Sequence, residues 1–152
     1  VTSVRGVSEA DRPSIASLAQ IAADGLQSRR GGPAVRDVWF PSSDAHDALG
    51  DVERHLSDVE HTYFVVDGPE GVVGASVAWV DGDVGWFAVY VDDQMRHLGH
   101  GPALGAAALA WLDAHSEVTQ VDALALPGDR AMKSLLEKAG FKARLLTMRR
   151  SS

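Results

Sequence analysis

The apolar positions change period along the chain, and the changes mark its elements. Ile15, Leu18, Ala19, Ala22 and Leu26 recur at helical spacing. Ahead of them, "SEAD" (Ser8 to Asp11) has the form of a capping box, with Ser8 as N-cap and Asp11 closing it. A short β-prone segment, Val1 to Val7, comes first, and "SRRGGP" (Ser28 to Pro33) reads as a flexible loop by composition. In "PSSDAHDALGDVERHL" (Pro41 to Leu56) a cap at Ser43 precedes Ala45, Leu49, Val52 and Leu56 on one face. That spacing predicts a second helix, weakened at Gly50 because glycine costs about 1 kcal/mol against alanine in a helix. The period then shortens. "TYFVVD" (Thr62 to Asp67), "VVGASVAWV" (Val72 to Val80) and "VGWFAVYV" (Val84 to Val91) are strand-like runs separated by "GPEG" and "DGD". Three consecutive strands with short turns predict an antiparallel meander.

Beyond the meander, a polar loop leads into an alanine-rich helix from about Gly99 to His115. "QVDALAL" (Gln120 to Leu126) reads as a strand. "DRAMKSLLEKAG" reads as a helix starting near Asp129, with Gly140 just past its end, and "FKARLLTMR" (Phe141 to Arg149) as a last strand. The order is β-α-α-β-β-β-α-β-α-β. It predicts an α/β chain of the α+β type, with a mixed, mostly antiparallel central sheet flanked by helices. No repeat, low-complexity segment or linker interrupts it, so residues 1–152 read as one domain.

Composition narrows the function. The net charge of −7 argues against non-specific binding to nucleic acid or anionic membranes and suits a cationic or amine partner. The chain has no cysteine, which excludes disulfides, cysteine metal sites and a thiol nucleophile. No apolar run reaches membrane-spanning length, because Asp81, Gly82 and Asp83 break the longest. No signal-peptide pattern is present at Val1, so the expected location is cytoplasmic.

The loop "RHLGHGPA" (Arg96 to Ala103) carries the candidate chemistry. A helix start presents backbone N–H groups that lack intrahelical partners, together with a partial positive charge. Gly99 and Gly101 clear side chains from that start and Arg96 adds charge on the approach, which reads as a pyrophosphate-binding turn. Neither the nucleoside-triphosphate P-loop pattern nor G-x-G-x-x-G is present. Structural glycines would give the same spelling, so the loop alone leaves both readings open.

"VDDQMRHLGHGPAL" (Val91 to Leu104) resembles the acyl-CoA-binding motif of the GNAT superfamily of N-acetyltransferases, [RQ]-x-x-G-x-[GA], with Arg96, Gly99 and Gly101 on its fixed positions. "SLLEKAGF" (Ser134 to Phe141) is similar to the family's late helix ending in E-K-x-G-F, and the element order is also the family's. The resemblance implies acetyl-CoA as co-substrate. Its pantetheine arm would lie against the backbone of Val89, Tyr90 and Val91. Its pyrophosphate would lie on the amides of His97, Leu98, Gly99, His100, Gly101, Pro102 and Ala103, although Pro102 removes one N–H. It implies polarisation of the acetyl carbonyl by an amide near Val91 and direct attack by a neutral amine in a ternary complex. The acceptor would be a primary amine of a small molecule or a protein, and family members often pair as homodimers through sheet edges or final strands.

Where the family commonly has proton-transfer groups, this chain departs. The tyrosine position in the last helix is Leu136, and the two glutamate positions are Gly85 and Leu124. Asp129 replaces an asparagine that contacts cofactor, and its carboxylate would repel an anion unless it caps the helix. Two readings stay open: catalysis without those side chains, or a non-catalytic acyl-CoA-binding or protein-interaction domain of the same fold. Tyr90 and Asp83 are the candidate catalytic groups, set against a core role for Tyr90 and a turn role for Asp83. Trp39, Trp79 and Trp86 could wall an acceptor pocket or be core. Arg29, Arg30 and Arg36, around the "RDVWF" segment joining the first helices, could bind an acidic group or lie in a solvated loop. His97 and His100 have metal-like spacing without a third ligand, so no metal is expected.

Overall fold

A computed structural model describes residues 3–40, 48–92 and 98–151, with the backbone alone at 48 and 49. The elements are β1 (Val4–Gly6), α1 (Arg12–Gln27), α2 (Gly32–Trp39), α3 (Ala48–Leu56), β2 (His61–Gly68), β3 (Gly71–Asp81), β4 (Val84–Val91), α4 (His100–Asp113), β5 (Gln120–Asp122) and α5 (Arg130–Lys138). They build a five-stranded sheet in the order β1-β2-β3-β4-β5. The first four strands pair antiparallel, as the meander requires, and β5 joins β4 parallel after the α4 crossover.

Ser8 and Asp11 open the first helical segment as expected, through a short 3-10 turn at Glu9–Asp11. The Asp11 carboxylate accepts from the Ser8 amide (2.8 Å) and takes both terminal nitrogens of Arg5 (2.8 Å each). Arg5 also donates to Asp67 on β2 (2.7 Å), so one guanidinium ties β1, β2 and the start of α1. That guanidinium, with help from Ser8, holds the Asp11 carboxyl far below the usual carboxylate range.

Two connections differ from the sequence reading. "SRRGGP" is a tight turn: Arg29 N donates to Leu26 O (3.2 Å) and Gly32 N to Arg29 O (2.9 Å). Gly32 passes so close to the Leu26 carbonyl that a Cβ there would lie 1.7 Å from its oxygen. "RDVWF" is largely helical rather than a linker, because Gly31 at φ 78° and Pro33 in the first turn start α2 beforehand. The cap assigned to Ser43 lies outside the described residues, and α3 is described from Ala48.

Alternation sorts the strands between two cores. Tyr63, Val65, Ala75, Val77, Ala88 and Tyr90 face α1 and α2, with Ile15, Ala19 and Leu26. Ala78, Val80 and Phe87 face α4 and α5, with Ala108, Leu112 and Leu136. A buried hydrogen bond from Ser76 Oγ on β3 to the Leu104 carbonyl (2.9 Å) fixes α4 along the sheet. The slim contact face of α4 is formed by Gly105 and Ala108 rather than by Ala103, Ala106 and Ala107.

The expected last strand does not form. The Phe141 N–H donates to Leu136 O (2.9 Å) and its ring meets Phe87 edge-on at 5.9 Å. After that, residues 142–151 run without regular structure, exposing Leu145, Leu146 and Met148. The strand-like composition finds no pairing partner: the sheet ends at β5 among the described residues.

Candidate functional site

β4 and β5 are paired over three residues only: Val84 with Gln120, Gly85 with Val121, and Trp86 with Asp122. From Phe87 to Val91 the outer side of β4 has no strand partner among the described residues. The parity of that free edge follows from one bond. Asp92 N donates to Val73 O (2.9 Å) across the β3–β4 ladder, so Tyr90, Ala88 and Trp86 also turn their backbone groups toward β3. Phe87, Val89 and Val91 therefore turn theirs into the gap. Of the three consecutive residues expected to contact a pantetheine arm, Val89 and Val91 present amides and carbonyls, and Tyr90 does not.

α4 begins beside the open end of this gap. Gly74 on β3 lets the two meet: a Cβ there would lie 3.0 Å from Leu104 of α4 and 3.6 Å from Val91 of β4. Gly99 is the N-cap at φ 83°, a left-handed conformation that only glycine adopts without strain. Gly101 is different. It sits in the first turn with no positive φ, and a Cβ there would meet no described atom within 4 Å. Among the described residues nothing requires glycine at that position. Ala103 N makes the first helical bond, to Gly99 O (3.4 Å), and Pro102 contributes no donor. Leu98 is exposed and His100 half-buried beside them. Arg96 and His97 lie outside the described residues. No three His, Asp or Glu side chains converge as metal ligands among the described residues.

Asp129 caps α5, accepting from Met132 N (3.1 Å), and lies 3.9 Å from Arg29 of the α1–α2 turn. Both contacts offset its charge. Arg29 is thereby engaged across the chain, while Arg30 is exposed. Tyr90 is buried against α2, with Trp39 edge-on at 5.7 Å and Phe40 stacked at 5.9 Å. Burial, with the neighbouring Tyr63, pushes its phenol well above the ordinary value. Asp83 stands at the opposite end of β4 from Val91, roughly 25 Å along the strand at 3.3 Å per residue. Its carbonyl accepts from Thr119 N (2.8 Å), which holds the start of β5.

The positions without proton-transfer groups are packed. At Gly85 a Cβ would lie 2.8 Å from Leu112 and 3.3 Å from Val118. Leu136 is buried in the core beside α4, and Leu124 is packed against the core beside α1.

The sequence reading had no signal for one arrangement. The rings of His55, His61, Trp79 and Trp86 form a row across α3, β2, β3 and β4, with centroids 4.3, 6.2 and 6.3 Å apart and planes within 13°. The Trp79–Trp86 pair was legible in the "DGD" hairpin, whose register sets the two side by side. His55 was not, since only the α3–β2 packing brings it in. Its Nδ1 lies 2.8 Å from Tyr63 Oη, and His61 Nδ1 lies 3.1 Å from Asp58. Burial, then the charges of His61 and Arg54, push His55 down to about 4. Trp39 meets Phe40 and Tyr90 rather than a ring of this row, although Trp39 and Trp79 pack against the same core cluster.

No protein-family model matches the chain, and no curated protein matches it. Solved structures do. A candidate acetyl transferase from Pyrococcus furiosus is 21% identical with a TM-score of 0.68, over 100% of both chains. The aminoglycoside N-acetyltransferase AAC(6')-Iy, solved with a CoA-linked acetylneamine bisubstrate analog, is 15% identical with a TM-score of 0.65, over 100% of this chain and 99% of that one. Glucosamine-6-phosphate N-acetyltransferase from Arabidopsis thaliana is 13% identical with a TM-score of 0.66, over 99% and 98%. The split sheet, the parallel β5 and the helix opening at Gly99 are thus parts of one known architecture: the chain has the fold of the GNAT acetyltransferases.

Proposed function

We propose that the protein is a GNAT N-acetyltransferase that moves an acetyl group from acetyl-CoA to a primary amine of a small molecule or protein, with both substrates bound together. The observation that carries this is Gly101: a first turn with no packing or backbone reason for glycine among the described residues, beside a stretch of β4 that is unpaired among them. A diphosphate against that turn would be met by backbone amides and the positive end of α4. The resemblance adds Arg96 and the residues from His97 to Ala103 to this cradle. The pantetheine arm would run along β4 as a missing strand, bonding Val89 and Val91. One of those amides would polarise the thioester carbonyl as charge builds on its oxygen. Asp129, with its charge taken up by the α5 amide and Arg29, would border the cofactor without repelling it. Buried Tyr90 stays protonated and could only donate.

A second reading, a non-catalytic acyl-CoA-binding or protein-interaction domain, is favoured by one observation: Gly85, Leu124 and Leu136 are packed where this fold commonly carries proton-transfer side chains. Titration with acetyl-CoA by calorimetry, with ATP as control, tests the shared premise. Release of free CoA above the hydrolytic background with any member of a primary-amine panel supports the enzyme and removes the second reading. Binding without turnover across the panel favours the second. Homodimerisation belongs to the same proposal. Residues 142–151 have no hydrogen bond or ion pair among the described residues and expose three large apolar side chains, and the outer edge of β5 is unpaired. A light-scattering mass of one chain at high protein concentration would remove it.

A further inference from the structure

The gap between β4 and β5 has a closed end, and that end is the pair Trp86–Asp122. Alternation fixes the faces there. Val121 and Ala123 pack on the α4 side, while Leu124 packs on the α1 side, so Asp122 shares the α1 side with Trp86. In-register neighbours on adjacent strands stand about 5 Å apart, which sets the carboxylate beside the indole. Asp122 is half-buried, and its carboxylate has no hydrogen bond or ion pair among the described residues. Of the neighbouring carboxylates, Asp83 bonds Thr119, and Asp81 at the hairpin end of β3 and Glu117 in the turn before β5 lie exposed outside the gap.

We propose that Asp122 holds the ammonium group of the acceptor and takes its proton, an assignment that rests on the acetyl-transfer reading above. An acyl carbonyl bonded to the Val89 amide would lie about 10 Å along β4 from Trp86, three residues at 3.3 Å each. The hydrogen bond to the carbonyl runs across the gap, perpendicular to this distance, and the attacking nitrogen waits about 3 Å from the acyl carbon on the Trp86 side. What remains, about 7 Å, is spanned by the reach of the Asp122 side chain and one bridging water. Trp86, stacked on Trp79, is an aromatic wall that favours a cation at the same point. The step balances. Asp122 accepts one proton from R–NH3+, and the neutral amine attacks the acyl carbon. The C–N bond forms, the C–S bond breaks, and the second nitrogen proton goes to the departing thiolate to give CoA and the amide. Asp122 then loses its proton to water. The carboxylate does what a side chain at Gly85 or Leu124 would do, from a strand position beside both.

The test needs no knowledge of the acceptor. Two unreactive thioethers, S-(3-aminopropyl)-CoA and S-butyl-CoA, are titrated by calorimetry into the wild type, Asp122→Asn and Asp122→Glu. The three-carbon arm carries its nitrogen to where an attacking amine would wait. The wild type is expected to bind the aminopropyl compound at least tenfold more tightly than the butyl one. Asp122→Asn should bind both alike while keeping its melting temperature and acetyl-CoA affinity, and Asp122→Glu should recover part of the preference. The same ratio in wild type and Asp122→Asn, or no ammonium preference in the wild type, overturns the assignment while acetyl-CoA binding keeps the broader reading. Failure of the wild type to bind acetyl-CoA and both thioethers overturns the two together.

Discussion

Replacing Gly101 with alanine and with glutamate separates what the fold needs from what a ligand needs. Alanine is favoured over glycine by about 0.8–1.0 kcal/mol in a helix interior, and by less in a first turn. A methyl group at this position meets no described atom within 4 Å, so nothing offsets the gain. The variant should therefore be more stable than the wild type by about 0.5 kcal/mol, or about 1–2 °C in melting temperature for a domain of this size. The same change at Gly99, held at φ 83°, forces a left-handed alanine and should cost about 1–2 kcal/mol. Cofactor binding is tested by bulk beyond one methyl. The motif admits alanine at residue 101, so Gly101→Ala should keep acetyl-CoA affinity within about twofold of the wild type, or about 0.4 kcal/mol. Gly101→Glu, which adds bulk and like charge, should abolish measurable binding with the fold intact. Circular-dichroism melts and calorimetric titration give both quantities from one preparation. A lower melting temperature in Gly101→Ala would mean the fold itself requires this glycine. Wild-type affinity in Gly101→Glu would falsify the cradle outright.

Three further expectations concern packing and charge. Gly85→Ala puts a Cβ 2.8 Å from fully buried Leu112 and should cost about 1–3 kcal/mol in urea unfolding, so a glutamate restored there would disrupt α4 packing rather than supply a base; unchanged stability would sink this account. His55 has its folded-state value lowered from 6.5 to about 4, so between those values the unfolded chain binds the extra proton. Its contribution is complete above pH 6.5 and is lost as pH falls toward 4. Because the ring is partly exposed, the loss is about 1–2 kcal/mol. The wild type should lose that much more than His55→Gln between pH 7 and pH 4.5, and equal losses would count against the buried neutral imidazole. Arg5→Ala should lower the urea midpoint at pH 7, with the deficit shrinking as pH falls through and below the carboxylate range, where the depressed Asp11 finally protonates; a deficit that does not change with pH would remove the ion pair as its cause.

Most of what the sequence made legible was local. The meander was readable because each turn sits beside the strands it joins, and β4 runs from Val84 to Val91 as its composition predicts. Gly140 past α5 and Asp129 at its start were readable for the same reason, since capping depends on residues a few positions apart. The glycine loop was readable as a helix opening. Its two glycines looked alike in sequence, and only the structure separates Gly99, demanded by its backbone angle, from Gly101, demanded by no contact among the described residues. The failures share a cause of the opposite kind. "RDVWF" looked like a connection because its Trp39 and Phe40 pack against partners distant in sequence. "FKARLLTMR" looked like a strand because its composition is right, but a strand also needs a partner, and the sheet ends at β5 among the described residues.

The same distinction explains why the two halves of the candidate site differed so much in visibility. The proposed cofactor contacts come from one continuous stretch, the end of β4 through the first turn of α4, so a single motif can spell them. The proposed acceptor pocket is assembled across strands. Trp86 and Asp122 become neighbours only through the parallel pairing of β4 and β5, and no turn sets that register. It is set by where α4 returns the chain, which depends on Ser76 gripping Leu104 and on Gly85 admitting Leu112. Both contacts cross the sheet from residues that carry no chemistry. Gly85 thus has two consequences at once. It removes the carboxylate this fold commonly places on β4, and by letting α4 settle close it fixes the register that brings a carboxylate from β5 to the same end of the gap. On the proposed role of Asp122, the charge stands at the end of the gap where the acceptor amine would arrive, and no motif marks that position.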